Sequence, residues 1–220
     1  MLVVEEILAV VAQRATASGE QRDLLLADRS QVRLNSRSAL DVEFDAKERR
    51  LRLRSGEILI QTAKGDTRPF IVETEQGRLH ALGTRFLVRR EGAATELIVL
   101  QSAVAARPQA ATQERIIHSG EQVRMDRHHL SDSSPAPVGA DAWSRGMLVA
   151  DNLPLQQLID QLGEYRSGYL GLDPSLSGLR ISGSFPLHDS DKALAAIALS
   201  LPVQTERLGP WWTRVVPREK

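Results

Sequence analysis

Hydrophobic and polar positions alternate through the first half of the chain. Between residues 24 and 125, short alternating runs such as 32–34, 40–44 and 58–60 are separated by turns rich in Ser, Gly, Asp and Asn. A period of two places successive side chains on opposite faces of a strand. Short strands punctuated by turn residues are typical of an all-β domain. A sandwich, a small barrel and a solenoid-like stack of hairpins all fit this pattern, and the sequence leaves that choice open.

The segment 68–90 contains two of these strands and a change of phase. In the first, Phe70 and Val72 share one face; after a turn at 75–77, the apolar residues Leu79 and Ala81 have odd numbers. Beyond Gly83 the bulky residues stand at even numbers. A strand cannot change parity without an extra residue, so we expect a bulge or bend at residues 82–84, with Gly83 free to adopt positive φ.

The last third of the chain has a different pattern, in which strands alternate with helices. Leucine and isoleucine at helical spacing over 155–162 predict one helix, and the same stripe returns over 194–201. Extended segments at 143–151, 169–172 and 179–185 flank these helices, and a hairpin closes the chain after residue 203. This repeated β-α-β order predicts two helices on a small sheet.

The two ends of the all-β region differ in composition from the region itself. Apolar residues at helical spacing over 2–15 predict a short helix, and the Ser- and Pro-rich stretch after Arg127 has no apolar period. We therefore expect an N-terminal helix within residues 1–20, an all-β domain at 21–127, a linker at 128–141 and a small α+β domain at 142–217. The fold class is mainly β with an α+β part.

The composition excludes some classes of function but does not identify one. Lys plus Arg equals Asp plus Glu at 28 each, a balance that argues against a general nucleic-acid binder. The chain has no cysteine, which excludes disulfides and thiolate metal sites. The sequence His188-Asp189-Ser190 contains the residue types of a catalytic triad, but neighbours in one loop cannot form the relay, and a helix cap is the better interpretation. We expect no catalytic residues, no metal site and no cofactor.

Several motifs in the β region resemble those of FecR-type regulators. Residues 26–35 are similar to the family's opening Leu-x-Asp-Gly-Ser-x-Val-x-Leu-Asn, with Arg29 at the usual glycine. Residues 100–104 occupy the place of Glu-Gly-x-Val, again without the glycine. The core resemblance is the Arg-Pro-Phe-Ile-Val run followed by Ala-Leu-Gly-Thr-Arg-Phe-Leu-Val, whose motif residues are Pro69, Phe70, Gly83, Thr84 and Phe86.

The repeated β-α-β region resembles the secretin/TonB short N-terminal (STN) domain, which follows the β unit in FecR-type regulators. The two resemblances imply the periplasmic region of a single-pass inner-membrane regulator. Its partner would be the signalling domain of a TonB-dependent siderophore transporter. The signal would pass towards a cytoplasmic extracytoplasmic-function sigma factor through an N-terminal part and a transmembrane helix that this sequence lacks.

Two other classes stay open from the sequence. STN modules also occur in secretins, so a structural subunit of an envelope complex is one alternative. An enzyme or carbohydrate-binding module on a β scaffold is another, although no converging pocket can be assembled from the sequence.

The closing strand carries the best candidates for partner binding. An aromatic pair and an arginine are residue types enriched at interface hot spots. On a strand one tryptophan should face the core and the other solvent. Taking this strand as a sheet edge, and the strand near residue 147 as the competing edge, we expect partner contacts at Trp211, Trp212, Arg214, Met147 and Val149.

Overall fold

A computed structural model describes residues 12–207, 209 and 211–218 of the 220-residue chain. The chain divides into two compact units. The first comprises the residues up to Ala17 together with Gln21–Ala136, and the second comprises Ser18–Glu20 together with the chain from Pro137 onward.

The first unit is built from strands alone in its described residues. They are β1 (Ala12–Ala15), β2 (Arg22–Leu25), β3 (Gln31–Leu34), β4 (Ala39–Phe44), β5 (Arg49–Gln61), β6 (Phe70–Glu73), β7 (Gly77–Ala81), β8 (Arg85–Glu91), β9 (Ala94–Gln101), β10 (Ala103–Pro108), β11 (Arg115–His118), β12 (Glu121–Met125) and β13 (Ser134–Pro135).

These strands form two sheets that share β5. The first sheet has the order β1-β4-β5-β6-β7-β10-β11, and the second has the order β2-β3-β5-β8-β9-β12-β13. Residues 49–55 of β5 pair with β4 and β6, whereas residues 56–61 pair with β3 and β8. Neighbouring strands are antiparallel except for β5 and β6.

The change of sheet within β5 takes place at Gly56. This residue has φ of +81°, and an added Cβ would lie 2.5 Å from the Cα of Ser38. The Ser38 hydroxyl accepts a hydrogen bond from Glu57 N at 3.0 Å and donates to Glu57 O at 3.0 Å. Glycine is therefore required here by both conformation and space. The Ser38 hydroxyl adds to the hydrogen bonds of the Glu57 backbone beside the bend, whose carbonyl also accepts from Asn35 N at 2.9 Å.

One hydrophobic core lies between the two sheets. The first sheet contributes Leu51, Leu53, Phe70, Val72 and Leu79, and the second contributes Ile58, Ile60, Phe86, Val88 and Leu97. All of these side chains are essentially buried. Of the architectures left open by the sequence, the structure is thus a β-sandwich with curled sheets, and the mainly β fold class is confirmed.

The phase change near Gly83 is a transfer between sheets. Strand β7 belongs to the first sheet and β8 to the second, so the core-facing parity changes where the chain crosses. Gly83 has φ of +73°, as expected, and nothing lies within 4 Å of the position of its missing Cβ. The predicted bend is confirmed, but its cause is a change of sheet and not a bulge within one strand.

Two residues that replace family glycines adopt the glycine conformation. Arg29 has φ of +69° in the turn between β2 and β3, and Ser102 has φ of +64° between β9 and β10. The left-handed region costs a non-glycine residue roughly 1–2 kcal/mol. Both turns therefore hold a non-glycine residue in a conformation that favours glycine.

The second unit has two small sheets and two helices. Its elements are β14 (Met147–Pro154), α1 (Leu155–Gly163), β15 (Tyr169–Leu172), β16 (Arg180–Pro186), α2 (Ser190–Ser200), β17 (Val203–Arg207) and β18 (Trp212–Pro217), with short 3₁₀ helices at Ala142–Arg145 and Pro174–Leu176. Strands β14 and β16 form an antiparallel pair, and the three-stranded sheet has the order β15-β18-β17. Helix α1 packs mainly on β14 and β15, and helix α2 mainly on β16 and β17.

The first predicted helical stripe is the buried face of α1, whereas the second is confirmed only in part, because α2 buries Leu194 and Ile197 but ends at Ser200, before Leu201. Helix α1 buries Leu155, Leu158, Ile159 and Leu162. Helix α2 begins after Asp189, whose carboxylate accepts a hydrogen bond from Lys192 N at 3.0 Å. The capping role expected in the His188–Ser190 loop therefore belongs to Asp189.

Four expectations about element boundaries need correction. The predicted N-terminal helix is contradicted at its end, where Ala12–Ala15 is a strand; residues 1–11 lie outside the described part. The stretch expected to be a linker is partly ordered, because Ser134–Pro135 pairs with β12. The expected strand at 143–151 begins only at Met147, after a 3₁₀ helix. Finally, the β-α-β repeat forms two sheets and not one.

The bend in β5 can be tested with two glycines of matched conformation. Gly56→Ala should lower the free energy of unfolding by about 3 kcal/mol or more, because the methyl group would meet the Cα, Cβ and Oγ of Ser38 at a strained φ. Gly120 has φ of +84° and open space at its Cβ position, so Gly120→Ala should cost only about 1–2 kcal/mol. Urea denaturation of both variants measures the difference, and equal losses would show that crowding at Ser38 is unimportant.

In the turn between β2 and β3, by contrast, replacing the residue at positive φ by glycine should stabilise the fold. Arg29→Gly should raise the free energy of unfolding by about 0.5–1 kcal/mol, because relief of the left-handed strain exceeds the extra chain entropy of glycine. Arg124 is an exposed residue within β12, so Arg124→Gly serves as the control and should be destabilising by a similar amount. A loss of stability in Arg29→Gly would refute the strain argument.

Candidate partner-binding surface

Strand β18 presents two of the predicted partner-binding residues on the outer face of its sheet. Trp212 and Arg214 point outward, while Thr213 and Val215 between them are buried. Trp212 leaves 49% of its surface exposed. A large aromatic ring in this position has apolar area that a partner could cover.

Tyr169 completes this face and was not singled out from the sequence. It lies opposite Trp212 in the parallel pairing of β15 and β18. The two rings meet edge to face, with centroids 5.4 Å apart and an interplanar angle of 87°. The Tyr169 ring also covers Gly171, whose added Cβ would lie 2.6 Å from the ring. A tyrosine two residues before a glycine on a strand was the available signal, since an aromatic ring often covers the gap that such a glycine leaves.

An ion pair holds the arginine of this face. Arg214 Nη2 lies 2.9 Å from Asp173 Oδ2. Hydrogen bonds from Ser175, followed by the charge of Arg214, lower the pKa of Asp173. The carboxylate therefore stays charged at neutral pH and keeps Arg214 next to the aromatic pair.

The expectation for the adjacent tryptophans was wrong in one respect. Trp211 precedes β18 in a bend, so it does not follow the alternation of the strand, and 67% of its surface is exposed. Its carbonyl accepts a hydrogen bond from Tyr169 N at 2.7 Å. Both tryptophans are thus exposed, and neither side chain enters the core.

The assumption that β18 is a sheet edge was also wrong. Strand β18 is the central strand of its sheet, with β15 on one side and β17 on the other. Strand β18 thus lies between two strands that precede it in the chain. Its pairing with β15 is parallel and joins residues far apart in sequence, so neighbouring residues gave no sign of it. Its backbone has no free side to offer, so its contribution to binding must come from Trp212 and Arg214.

The other two candidates, Met147 and Val149, lie on β14 in the two-stranded sheet. Strand β14 is an edge, as expected, and both side chains are half-buried. An added Cβ at Gly139 would lie 2.7 Å from the Val149 Cβ, so the chain covers this side chain closely. Strand β14 thus exposes less apolar surface than the face around Trp212.

In the first unit, Arg49 connects the motifs quoted above. The Arg49 guanidinium lies 2.7 Å from Asp28, and both side chains are almost fully buried. It also donates to the carbonyl of Arg68 at 2.6 Å and lies 5.3 Å above the Phe70 ring. The Arg49 backbone N–H donates to Pro69 O at 2.9 Å. Arg49 stands at the core-facing parity of β5, a signal in the sequence that was overlooked.

Asp28 organises the opening turn around this arginine. Its carboxylate accepts hydrogen bonds from Ser30 N at 2.9 Å and from the Ser30 hydroxyl at 2.6 Å. Ser30 in turn accepts a hydrogen bond from Ala63 N at 2.9 Å. Nearby, a hydrogen bond from the Arg68 side chain is the main cause that lowers the pKa of Asp66 to about 2. These contacts give the motif residues a structural role.

Strand β5 also carries two arginines, Arg50 and Arg52, whose charges are neutralised by glutamates around them. Arg52 lies 3.7 Å from Glu43 and 3.5 Å from Glu73, and Arg50 pairs with the same two carboxylates and with Glu48. An acidic partner would have to displace these pairs, so this face is a weak candidate for binding.

The described residues were also compared with the patterns of a metal site and of a membrane-spanning helix. Within ranges 12–207 and 211–218, no group of three or more His, Cys, Asp or Glu side chains could hold a metal ion. No helix in the described part of the chain is long and apolar enough to cross a bilayer.

Comparison with known proteins supports the interpretation of the first unit. Residues 12–105 match the family described as FecR protein. The matched segment covers the bent strand β5, the Asp28–Arg49 pair and the Gly83 crossing. A search of curated proteins found no match.

Two crystal structures extend the likeness over nearly the whole chain. Both are of a candidate anti-sigma factor from Parabacteroides distasonis, at 2.50 and 1.65 Å resolution. Each superposes with a TM-score of 0.77 at 20% identity, covering 96% or 94% of this chain and 100% of the other. At this identity the likeness establishes the fold. Together with the FecR match, it supports a signalling regulator of FecR type.

The buried pair predicts unequal costs for two similar substitutions. Asp28→Ala should lower the free energy of unfolding by about 3 kcal/mol, because the buried guanidinium of Arg49 keeps only the more distant Asp66 carboxylate, 3.9 Å away, as a counter-charge. Asp23 forms an exposed pair with Arg33, so Asp23→Ala should cost less than about 1 kcal/mol. Urea denaturation of the two variants provides the measurement. A loss at Asp28 no larger than that at Asp23 would show that the buried pair is not structurally important.

Proposed function

We propose that this chain is the periplasmic signalling region of a FecR-type regulator. The FecR match over residues 12–105 carries this proposal, because it coincides with the sandwich, its motif turns and the Arg49 network. On this proposal the second unit is an STN-like module. Its β-α-β repeat with one two-stranded and one three-stranded sheet supports that assignment. A signalling region of this kind binds a partner and does not itself catalyse a reaction.

The partner that we propose is the signalling domain of a TonB-dependent siderophore transporter. Binding would take place on the outer face of the three-stranded sheet, where Tyr169, Trp212 and Arg214 lie together. The ring pair is already packed and Arg214 is held by Asp173, so little conformational freedom would be lost on binding. The signal that the transporter has bound its siderophore would then be relayed towards a cytoplasmic sigma factor through a membrane-spanning part of the regulator.

Titration calorimetry of the chain against such a signalling domain tests this proposal. Trp212→Ala and Arg214→Ala should each weaken binding by roughly 1–3 kcal/mol, because each removes a side chain of hot-spot type from the outer face. Both side chains point away from the core, so circular dichroism should show an unchanged fold.

A matched control comes from helix α2. Leu199 is an exposed apolar residue away from the β15–β18 face, with 90% of its surface accessible, so Leu199→Ala should bind like the wild type. Wild-type affinity in both surface variants would move the interface off this sheet. Absence of binding by the unaltered chain would refute the proposed partner.

A further inference from the structure

The second unit has four strand edges in its described part, and three of them carry features that discourage pairing with another strand. Strand β17 has the exposed charges Glu206 and Arg207. Strand β14 has an irregularity between Ala150 and Leu153, where Asn152 adopts φ of +49°. Strand β16 contains Gly183 and ends at a proline. Charges, bulges and prolines are the usual means by which proteins protect sheet edges.

Strand β15 differs from these three. Its sequence is Tyr-Leu-Gly-Leu, without charge, proline or bulge, and it pairs with β18 alone among the described strands. Directly beside it on the outer face lie the rings of Tyr169 and Trp212. This edge is therefore both unprotected and next to exposed aromatic area.

The hydrogen bonds show which backbone groups of β15 face outward. Tyr169 N donates to Trp211 O at 2.7 Å, and Asp173 N donates to Val215 O at 2.8 Å. Odd-numbered residues of β15 therefore direct their backbone groups at β18. Because these groups alternate in direction along a strand, the N–H and C=O groups of Leu170 and Leu172 point to the open edge.

We propose that β15 is the site at which the partner adds a strand. This inference rests on the proposed function and specifies how the signalling domain binds: an extended, uncharged segment pairs with Leu170 and Leu172 and extends the three-stranded sheet to four strands. An extended backbone is the chemistry that these groups can recognise, since each free N–H requires a carbonyl and each free C=O an N–H. The side chains of the added segment on the outer face would then contact the Tyr169–Trp212 pair.

The test removes one outward N–H from each edge of the sheet. In Leu172→Pro the lost N–H faces the open edge, so the bonds between β15 and β18 remain. Thr205→Pro on β17 is the control: the bond from Arg218 N to Pro202 O shows that even-numbered residues of β17 face β18, so Thr205 faces outward. Titrated against the signalling domain in the full chain, Leu172→Pro should lose at least about tenfold in affinity, whereas Thr205→Pro should bind like the wild type.

Hydrogen exchange of the unaltered chain gives a second readout that needs no variant. The amides of Leu170 and Leu172 should exchange more slowly in the complex, and the amide of Thr205 should not change. Wild-type affinity in Leu172→Pro, equal losses in both proline variants, or unchanged exchange at Leu170 and Leu172 would each overturn strand addition at β15. If one of these results is found while Trp212→Ala still weakens binding, the proposed function stands and only strand addition at β15 fails. An unaltered chain that does not bind at all would overturn both.

Discussion

The sandwich depends on one bent strand. Strand β5 pairs with β4 and β6 before Gly56 and with β3 and β8 after it, so a single chain segment sets the relative position of both sheets. The bend requires a positive φ and leaves no room for a side chain over Ser38. The Ser38 hydroxyl hydrogen-bonds both backbone groups of Glu57, and Asn35 N donates to the same carbonyl, so the backbone beside the bend keeps its hydrogen-bond partners.

A buried ion pair fixes the turns around that strand. Arg49 at the start of β5 binds Asp28 from the opening turn and the carbonyl of Arg68 from the connection to β6. A pair of this kind contributes little net stability, since desolvation of both charges offsets their attraction. Its main effect is on specificity: without Asp28, the buried guanidinium of Arg49 keeps only the more distant Asp66 carboxylate as a counter-charge, so alternative arrangements of these turns are disfavoured. The recurring motif residues are thus explained by the geometry of the fold.

Most of the elements could be predicted from residues close together in sequence. The features that could not be predicted depend on pairing between strands far apart in sequence. Alternation over the β region, the positive φ of Gly83, the two helical stripes and the cap in the His188–Ser190 loop follow from residues close together in sequence. The central position of β18 does not, because it depends on parallel pairing with β15 across a whole helix and two strands. Trp211 was misplaced for a related reason: alternation holds only within a strand, and β18 begins one residue later. Tyr169 and Arg49 did carry signals, one in its spacing to Gly171 and the other in its parity on β5.

The two units treat their outer surfaces differently, and this contrast bears on where recognition takes place. On the first sheet, arginines of β5 are paired with glutamates of the neighbouring strands, so a charged ligand must first break existing ion pairs. On the three-stranded sheet of the second unit, the aromatic rings of Tyr169 and Trp212 are packed against each other but remain open to solvent. Burying such preorganised apolar area gains free energy at little entropic cost. The adjacent edge of β15 adds directional backbone groups, which apolar burial alone cannot supply. The aromatic rings would supply binding affinity, and the backbone groups of the edge would set the register of an added strand. In the described part of the second unit, both features lie at β15.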